Sequence, residues 1–343
     1  MKSTVLPITA QSPAKIIFSG EHAIVLGAPA LAMAVNRFVT TTVTLHNARY
    51  LLFNLVDLNF TARATLNTLK RLCGHIQERY VGFTSRKHSI REVLQRPFEL
   101  LLYTVGTFIE EFTGQAPRGI KIETSSSIPL GCGMGSSAAM IMSVVGALAR
   151  YFHLKLPTNN CLVFGMEAEK LQHGLTSGLD LYLALHGGCV YRKEQRNFRH
   201  TMPQIPLRLI NTGAAVSSTG ECVDCALPYL RRLGVVDQFA KVTQALSQAL
   251  KDNDVATIHE CVRTNHRLLC QLGVVPQKAQ RFIDAIEARH MSAKISGAGS
   301  VRGDSCGVIL VIGDDPIDDL IQTYNYTLLP ISGETRGTRI ISR

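Results

Sequence analysis

Ser125-Ser126-Ser127-Ile128-Pro129-Leu130-Gly131-Cys132-Gly133-Met134-Gly135-Ser136-Ser137 separates two opposite hydropathy patterns. Upstream, Gly119-Ile120-Lys121-Ile122-Glu123 alternates apolar with polar residues, the two-residue period of a strand. Downstream, residues 138–149 are almost all small or apolar, which predicts a helix buried on nearly every side. Three glycines at alternate positions between them let the backbone come close to a ligand. Ser136 and Ser137 place hydroxyls at the predicted helix N-terminus, beside unpaired N–H groups and the positive end of the helix dipole. Such a place binds phosphate. A tight strand-to-helix turn capped by serines would use the same residues. Two familiar phosphate loops do not fit: GxxxxGK[ST] lacks its Lys, and GxGxxG finds Ser136 where its third Gly should stand.

Working outward toward the N-terminus, Ile16, Ile17 and Phe18 predict a short buried strand that stops at Gly20, with Glu21 and His22 on the turn. Residues 30–35 predict a second strand and residues 38–45, rich in Thr and Val, a third. Residues 54–96 carry many basic side chains and no assignable pattern, whereas 97–111 predict a helix. Toward the C-terminus, Leu156-Pro157-Thr158 opens a helix in which Leu162, Met166 and Glu169 share a stripe. A carboxylate on an inward face needs a partner, either a buried salt bridge or a cation or hydroxyl. Asp180 stands before the apolar run Leu181, Leu183, Ala184, Leu185, a position that suits a helix cap. A strand at 188–191 leads into the polar stretch 192–206, which holds two prolines and marks a candidate domain boundary. Beyond it come a strand at 207–210 and two helices, with stripes Phe239, Val242, Leu246, Leu250 and Val255, Ile258, Val262, Leu269. A helix at 277–290 and a strand at 307–312 complete an α+β pattern.

The chain has 343 residues, enough for two compact domains, and 46% hydrophobic against 18% charged residues excludes general disorder. A net charge of +10 from scattered Lys and Arg, with no Trp, suits a basic face for an anionic ligand better than a nucleic-acid groove. Nine cysteines at irregular spacing predict reduced thiols in an intracellular compartment. The one CxxC, Cys222 to Cys225, lacks the second pair a zinc site would need. Met1 to Pro13 has no apolar core and is not expected to be a signal peptide, and the longest apolar run is too short to cross a bilayer.

Three stretches resemble the signatures of the GHMP kinases, the superfamily of galactokinase, homoserine kinase, mevalonate kinase and phosphomevalonate kinase. Pro129-x-x-x-Gly133-Met134-Gly135-Ser136-Ser137-Ala138 is similar to that family's P-x-x-x-G-L-G-S-S-A loop, with Met for Leu. Pro13-Ala14-Lys15 with Gly20-Glu21-His22-Ala23-Ile24-Val25-Leu26-Gly27-Ala28-Pro29-Ala30-Leu31-Ala32 resembles the N-terminal motif of its mevalonate kinase branch. Galactokinases carry G-E-H-T-D-Y there. Lys294-Ile295-Ser296-Gly297-Ala298-Gly299 is similar to the C-terminal K-x-T-G-A-G, and Asn265-His266-Arg267-Leu268-Leu269 resembles the helix before it. One departure stands out: Ser300-Val301-Arg302-Gly303-Asp304-Ser305 follows where the family continues with glycines.

The resemblance implies a two-domain α+β fold, residues 1–203 and 204–343, with the last strand free to return to the first domain. ATP and substrate would meet in the cleft between them. It implies ATP- and Mg²⁺-dependent phosphorylation of the primary hydroxyl of mevalonate, an early step toward isoprenoid and sterol precursors. Asp180 and Lys15 would be catalytic. Ser126, Gly131, Cys132, Gly133, Met134, Gly135, Ser136 and Ser137 would bind ATP, and Ser137 and Glu169 the Mg²⁺. His22, Glu21, Ser177 and Ala298 would contact the alcohol. The partners implied are the small molecules ATP and mevalonate, with no nucleic acid or membrane and with homodimer formation left open. The expected compartment is the cytoplasm, with a peroxisome-type organelle as the alternative. The competing readings are a kinase of the same superfamily acting on a phosphorylated alcohol, and a binding relative that has lost catalysis. Lys15, Ser137, Glu169 and Asp180 are all present, which argues against loss.

Overall fold

In the computed structural model of the chain, residues 6–114, 119–174 and 176–342 are described; the first five residues of the stretch Met1 to Pro13, and Leu175, lie outside them. Strands β1 (Ile8–Ser19) and β2 (Ala30–Leu45) run antiparallel along nearly their whole length, from Ile8 opposite Val43 to Ser19 opposite Leu31. The two strands expected at 30–35 and 38–45 are therefore one. The polar pair Asn36-Arg37, which looks like a break in sequence, is a bulge: Pro13 faces Phe38 while Ala14 faces Val35. Its polar groups are satisfied from the C-terminal part of the chain. Asn36 exchanges hydrogen bonds with the Ser332 backbone, and Arg37 Nη2 donates to Pro330 O at 2.9 Å.

The segment without an assignable pattern holds regular structure: β3 (Leu51–Leu55), β4 (Phe60–Ala64) and α1 (Leu66–Thr84). Thr65 caps α1 by accepting from Thr68 N at 3.2 Å, and Leu69, Cys73 and Ile76 bury one face at helical spacing. Then follow α2 (Glu99–Phe112), β5 (Ile120–Ser126), α3 (Ser136–Tyr151), α4 (Thr158–His173) and α5 (Leu179–His186). A hairpin, β6 (Cys189–Lys193) and β7 (Arg196–His200), precedes β8 (Leu207–Asn211). Next come α6 (Thr219–Leu230), α7 (Val235–Asp252), α8 (Val255–Gln271), α9 (Gln277–Glu287) and β9 (Ser292–Ser296). The chain continues through β10 (Val308–Ile312), α10 (Asp318–Tyr324), β11 (Thr327–Leu329) and β12 (Arg339–Ser342). The reading of the sequence passed over α6, whose pattern is interrupted by Pro228; its N-terminus is secured by a capping box between Ser218 and Glu221.

Two sheets result. The first has the order β12-β1-β2-β5-β3-β4, with β6 and β7 continuing from the N-terminal half of β2. The second is antiparallel in the order β11-β8-β10-β9. β12 pairs with β1, so the chain re-enters the first sheet after completing the second. This is an α+β architecture.

One core lies between the first sheet and helices α1–α5, around Phe53, Phe108, Ile122, Met142 and Leu148. A second fills the space between the second sheet and helices α6–α9, around Phe239, Phe282 and Ile295. A third joins the halves: Ile16, Phe18 and Met33 from the first sheet pack with Leu246 of α7, Ile258 of α8 and Leu310 of β10. Phe18 alone, fully buried there, contributes roughly 1.5–3 kcal/mol of apolar transfer free energy. That shared core fixes the floor on which the site is built. Among the described residues no helix is long and apolar enough to cross a membrane.

Candidate active site

The glycine stretch forms the turn between β5 and α3, and Gly131, Gly133 and Gly135 all have positive φ, at 68°, 74° and 73°. Close packing, as well as backbone freedom, demands glycine here. A Cβ on Gly133 would lie 3.3 Å from Ser296 O, and one on Gly135 would lie 3.0 Å from Lys15 Cγ and 3.3 Å from Asp180 Oδ2. Gly135 is the N-cap of α3, so the free N–H groups of its first turn, with Ser136 and Ser137, face a cleft of about 480 Å³ between the two sheets.

β1 brings Lys15 to the same place. Its backbone N–H donates to Met134 O at 2.9 Å, clamping strand to loop, and its nearly buried Nζ lies 3.3 Å from Asp180 Oδ2. Asp180 does not cap α5. Gly178 is the N-cap, and the hydroxyls of Thr176 and Ser177 accept from the N–H groups of Gly178 at 3.0 Å and Leu179 at 3.3 Å. With the capping done by these two hydroxyls, the carboxylate in the first helical turn is free to face Lys15 and the cleft.

Glu169 is 3% exposed, as an inward face requires, but its stripe is not the expected one. α4 packs through Cys161, Phe164, Gly165 and Ala168, while Met166 is 37% exposed and lies against Gly178. Glu169 stands at the edge of that packed face, takes a hydrogen bond from the Thr176 hydroxyl and lines the cleft. Burial, reinforced by the neighbouring Asp180, pushes its carboxyl up to about 8; Thr176 and Lys15 pull the other way. His173, also on the cleft, is pushed down by burial, with Asp180 opposing.

The turn after β1 supplies the opposite wall. Gly20 has φ 99°, and a Cβ there would meet Pro29 O at 2.4 Å. His22 also sits at positive φ, 60°, and its Nε2 lies 3.0 Å from Ala298 O in the loop after β9. Glu21 is buried and paired with Lys294 of β9. Lys15, Glu21, His22, Gly131, Gly133, Met134, Gly135, Ser136, Ser137, Glu169, Ser177, Asp180 and Ala298 thus line one cleft. Ser126 and Cys132 are not brought in. Ser126 Oγ is engaged in a local turn with Ile128 N and O, and the Cys132 thiol points into the core toward Asn211 Oδ1 at 3.2 Å. Cys132 therefore belongs to the loop through its backbone alone.

The reading of the sequence missed several cleft residues. His173 and Thr176 adjoin the Asp180 stretch but carry no periodic signal of their own. Arg91 lies in the unassigned segment and crosses the cleft mouth to Glu221 of α6, which also pairs with Arg302. The loop 300–305 that departs from the family pattern is held by Ser300, whose hydroxyl accepts from Ser217 N at 3.2 Å and donates to Arg302 O at 2.6 Å. It contributes Arg302 to the rim and keeps Gly299 and Cys306 on the cleft.

A glycine turn opening a helix, facing a Lys–Asp pair and a buried carboxylate across one cleft, has the donors and charges that phosphoryl transfer requires. Residues 99–188 match the family described as GHMP kinases N terminal domain. The chain is similar to the mevalonate kinase of Pyrococcus furiosus, with 27% identity over 86% of this chain and 87% of the relative. Among solved structures it resembles Methanococcus jannaschii mevalonate kinase, with a TM-score of 0.78 and 22% identity over 97% of this chain and 100% of the other. It also resembles L. major mevalonate kinase in complex with R-mevalonate, with a TM-score of 0.69 and 15% identity over 98% and 100%.

Proposed function

We propose that this kinase transfers the γ-phosphoryl group of ATP to the primary hydroxyl of mevalonate, giving 5-phosphomevalonate and ADP. The observation that carries the chemistry is the Lys15–Asp180 pair, 3.3 Å apart and facing the N-terminus of α3. The choice of alcohol is supported by the mevalonate kinases among the relatives.

In this reading Asp180 accepts the proton of the substrate hydroxyl as its oxygen bonds to the γ-phosphorus and the bond from that phosphorus to the β-phosphate oxygen breaks. Lys15 holds the Asp180 carboxylate in place and offsets negative charge as the phosphoryl group moves. Backbone N–H groups of residues 131–137 hold the ATP phosphates without a Walker-type lysine. Positioning and fixed charge supply most of the acceleration. We infer also that the chain divides at residues 203/204; the change of sheet between His200 and Leu207 supports that division.

Glu169 and the Ser137 hydroxyl would hold Mg²⁺. The fit rests on Glu169, a carboxyl 3% exposed that lines the cleft beside Ser137 and that burial, with the neighbouring Asp180, pushes up to about 8. Among the described residues no three His, Cys, Asp or Glu side chains gather as a metal cluster. Mg²⁺ does not require one, because nucleotide phosphates and water complete its octahedron. When bound, the ion supplies charge neutralisation at the phosphate oxygens.

Two measurements test these assignments. Purified protein with ATP and Mg²⁺ is expected to release ADP far faster with mevalonate than with galactose, homoserine or phosphomevalonate; comparable turnover of any of the three overturns the choice of substrate. For the metal, Glu169→Gln and Ser137→Ala should each raise the Mg²⁺ concentration needed for half-maximal rate. In the wild type, Glu169 must lose its proton to bind the ion. Apparent Mg²⁺ affinity should therefore rise with pH by up to about tenfold per unit, then level off once pH exceeds about 8. Metal dependence unchanged in both variants would place the ion elsewhere.

A further inference from the structure

Lys294 on β9 has a side chain at 0% exposure, against a Glu21 side chain at 1%. Its Nζ donates to Glu21 Oε1, to Ile295 O at 2.7 Å and to Ile17 O at 3.3 Å. All three neighbours are acceptors, and a lysine nitrogen has three protons to give only as the ammonium. Lys294 is therefore a cation, and Glu21 is the anion that balances it. Glu21 has one oxygen left over. Oε2 is buried without a hydrogen-bond partner, on a residue that lines the cleft.

Beside it, His22 Nε2 faces a carbonyl oxygen and so holds the ring proton, leaving Nδ1 as a bare acceptor. Nδ1 is also buried and unpartnered. Two adjacent acceptors require a donor. A hydroxyl suits them, whereas a carboxylate or phosphate oxygen would face acceptor against acceptor.

We propose that Lys294 is a positioning residue of this kinase: by holding Glu21 as a carboxylate inside the protein, it makes Glu21 Oε2 the acceptor for the substrate hydroxyl that is not phosphorylated. Lys294 spans the two halves to do this, from a strand of the second sheet to the turn that ends β1. The proposal rests on the alcohol-kinase reading above and not on which alcohol is used. It also states why a phosphate or carboxylate end of a substrate is turned away from this wall.

The other charged or titratable groups facing the pair are Lys15 from β1, His22 from the turn and His266 from α8. Burial is the larger cause holding each histidine down, to about 4, so neither titrates between about pH 6 and 9. Glu169, pushed up to about 8 on the same cleft, is common to the wild type and both variants below, so only a pH dependence confined to Lys294→Met counts toward the proposal.

The test uses Lys294→Met beside the double variant Glu21→Gln/Lys294→Met, assayed by ADP release from about pH 6 to 9. In Lys294→Met the KM for the alcohol should rise ~10–100-fold at neutral pH and recover as pH rises, because the buried Glu21 then loses its proton only in alkaline solution. The KM for ATP should stay within about threefold. The double variant should show a raised alcohol KM with no pH dependence beyond that of the wild type. An alcohol KM that is unchanged in Lys294→Met, raised equally at every pH, or matched by an equal rise for ATP overturns the proposal. If Lys294→Met does not fold, the double variant decides: a raised alcohol KM with no added pH dependence sustains the proposal and a near-normal one overturns it. If neither folds, the pair is architectural and the proposal fails. Should the wild type prefer an alcohol other than mevalonate, the substrate assignment falls, and this test is run with the preferred alcohol.

Discussion

Asp180→Asn is expected to lower kcat by ~10²–10⁴-fold, equivalent to roughly 3–5 kcal/mol in the barrier, while ATP affinity holds within a few-fold. The substitution keeps the shape of the side chain and removes both the carboxylate proposed as proton acceptor and the charge facing Lys15 at 3.3 Å. The capping of α5 by Thr176 and Ser177 is untouched, so the helix start survives. Lys15 does not lose all compensation either. Asp180 is one of the causes that push the Glu169 carboxyl up, and once it is neutral Glu169 ionises more readily beside the same lysine. The stability change is therefore expected to be about 1 kcal/mol. Melting temperature, ATP affinity and kcat measured together check this. A variant that melts normally, binds ATP and keeps more than about a tenth of the wild-type rate removes Asp180 from the chemistry.

The second large effect is expected at a residue with no side chain at all. Gly297 has φ 109°, and a Cβ on it would lie 2.8 Å from Gly133 O and 3.1 Å from Gly133 Cα. Both neighbours are backbone atoms of the glycine loop, so no flexible side chain can give way. Gly297→Ala must push the loop after β9 away from residues 131–135, and misplacing the loop by even ~1 Å is expected to cost on the order of 10²-fold in kcat/KM. Gly234→Ala is the control. Gly234 also has positive φ, 79°, but nothing lies within 4 Å of the added Cβ. It should show only the backbone strain, about 1–2 kcal/mol of stability, with kcat/KM near wild type. Equal activity of the two variants would mean that the contact between the loops does not align the site.

The parts of the site legible in the sequence are those that announce themselves locally. Residues 131–137 lie between a period-two pattern and an apolar helix. Lys15 opens a short apolar strand, whereas Glu169 is singled out by a stripe, Leu162 and Met166, that the helix does not bury. What the sequence could not convey is how tertiary pairing assigns partners. Lys294 is the one charged residue of a short, fully buried strand, and only the register of β9 against β10 and the turn after β1 brings it to Glu21. Ser126 looks like part of the serine run, yet its hydroxyl closes a local turn. Asn36-Arg37 has the polarity of a loop because a bulge presents both residues to the stretch before β12. The segment 54–96 was obscured for the opposite reason: Lys70 and Arg71 on the outer face of α1, and Arg79 turned inward to Glu99 of α2, dilute an apolar stripe that is regular underneath.

The return of β12 to β1 has a consequence for how the protein is made. Ser12 and Thr338, whose hydroxyls meet at 2.8 Å, stand 326 residues apart in the chain. On the ribosome, β1 leaves the tunnel among the first elements, whereas the strand that covers its free edge is translated after every helix of the second half. Through that interval the nascent first sheet presents an open edge of backbone N–H and C=O groups, the feature most prone to pairing with a neighbouring chain. The burden on chaperones should therefore be set by the time needed to translate the second half. Slowing elongation there would be expected to increase aggregation of a protein whose finished form leaves that edge covered.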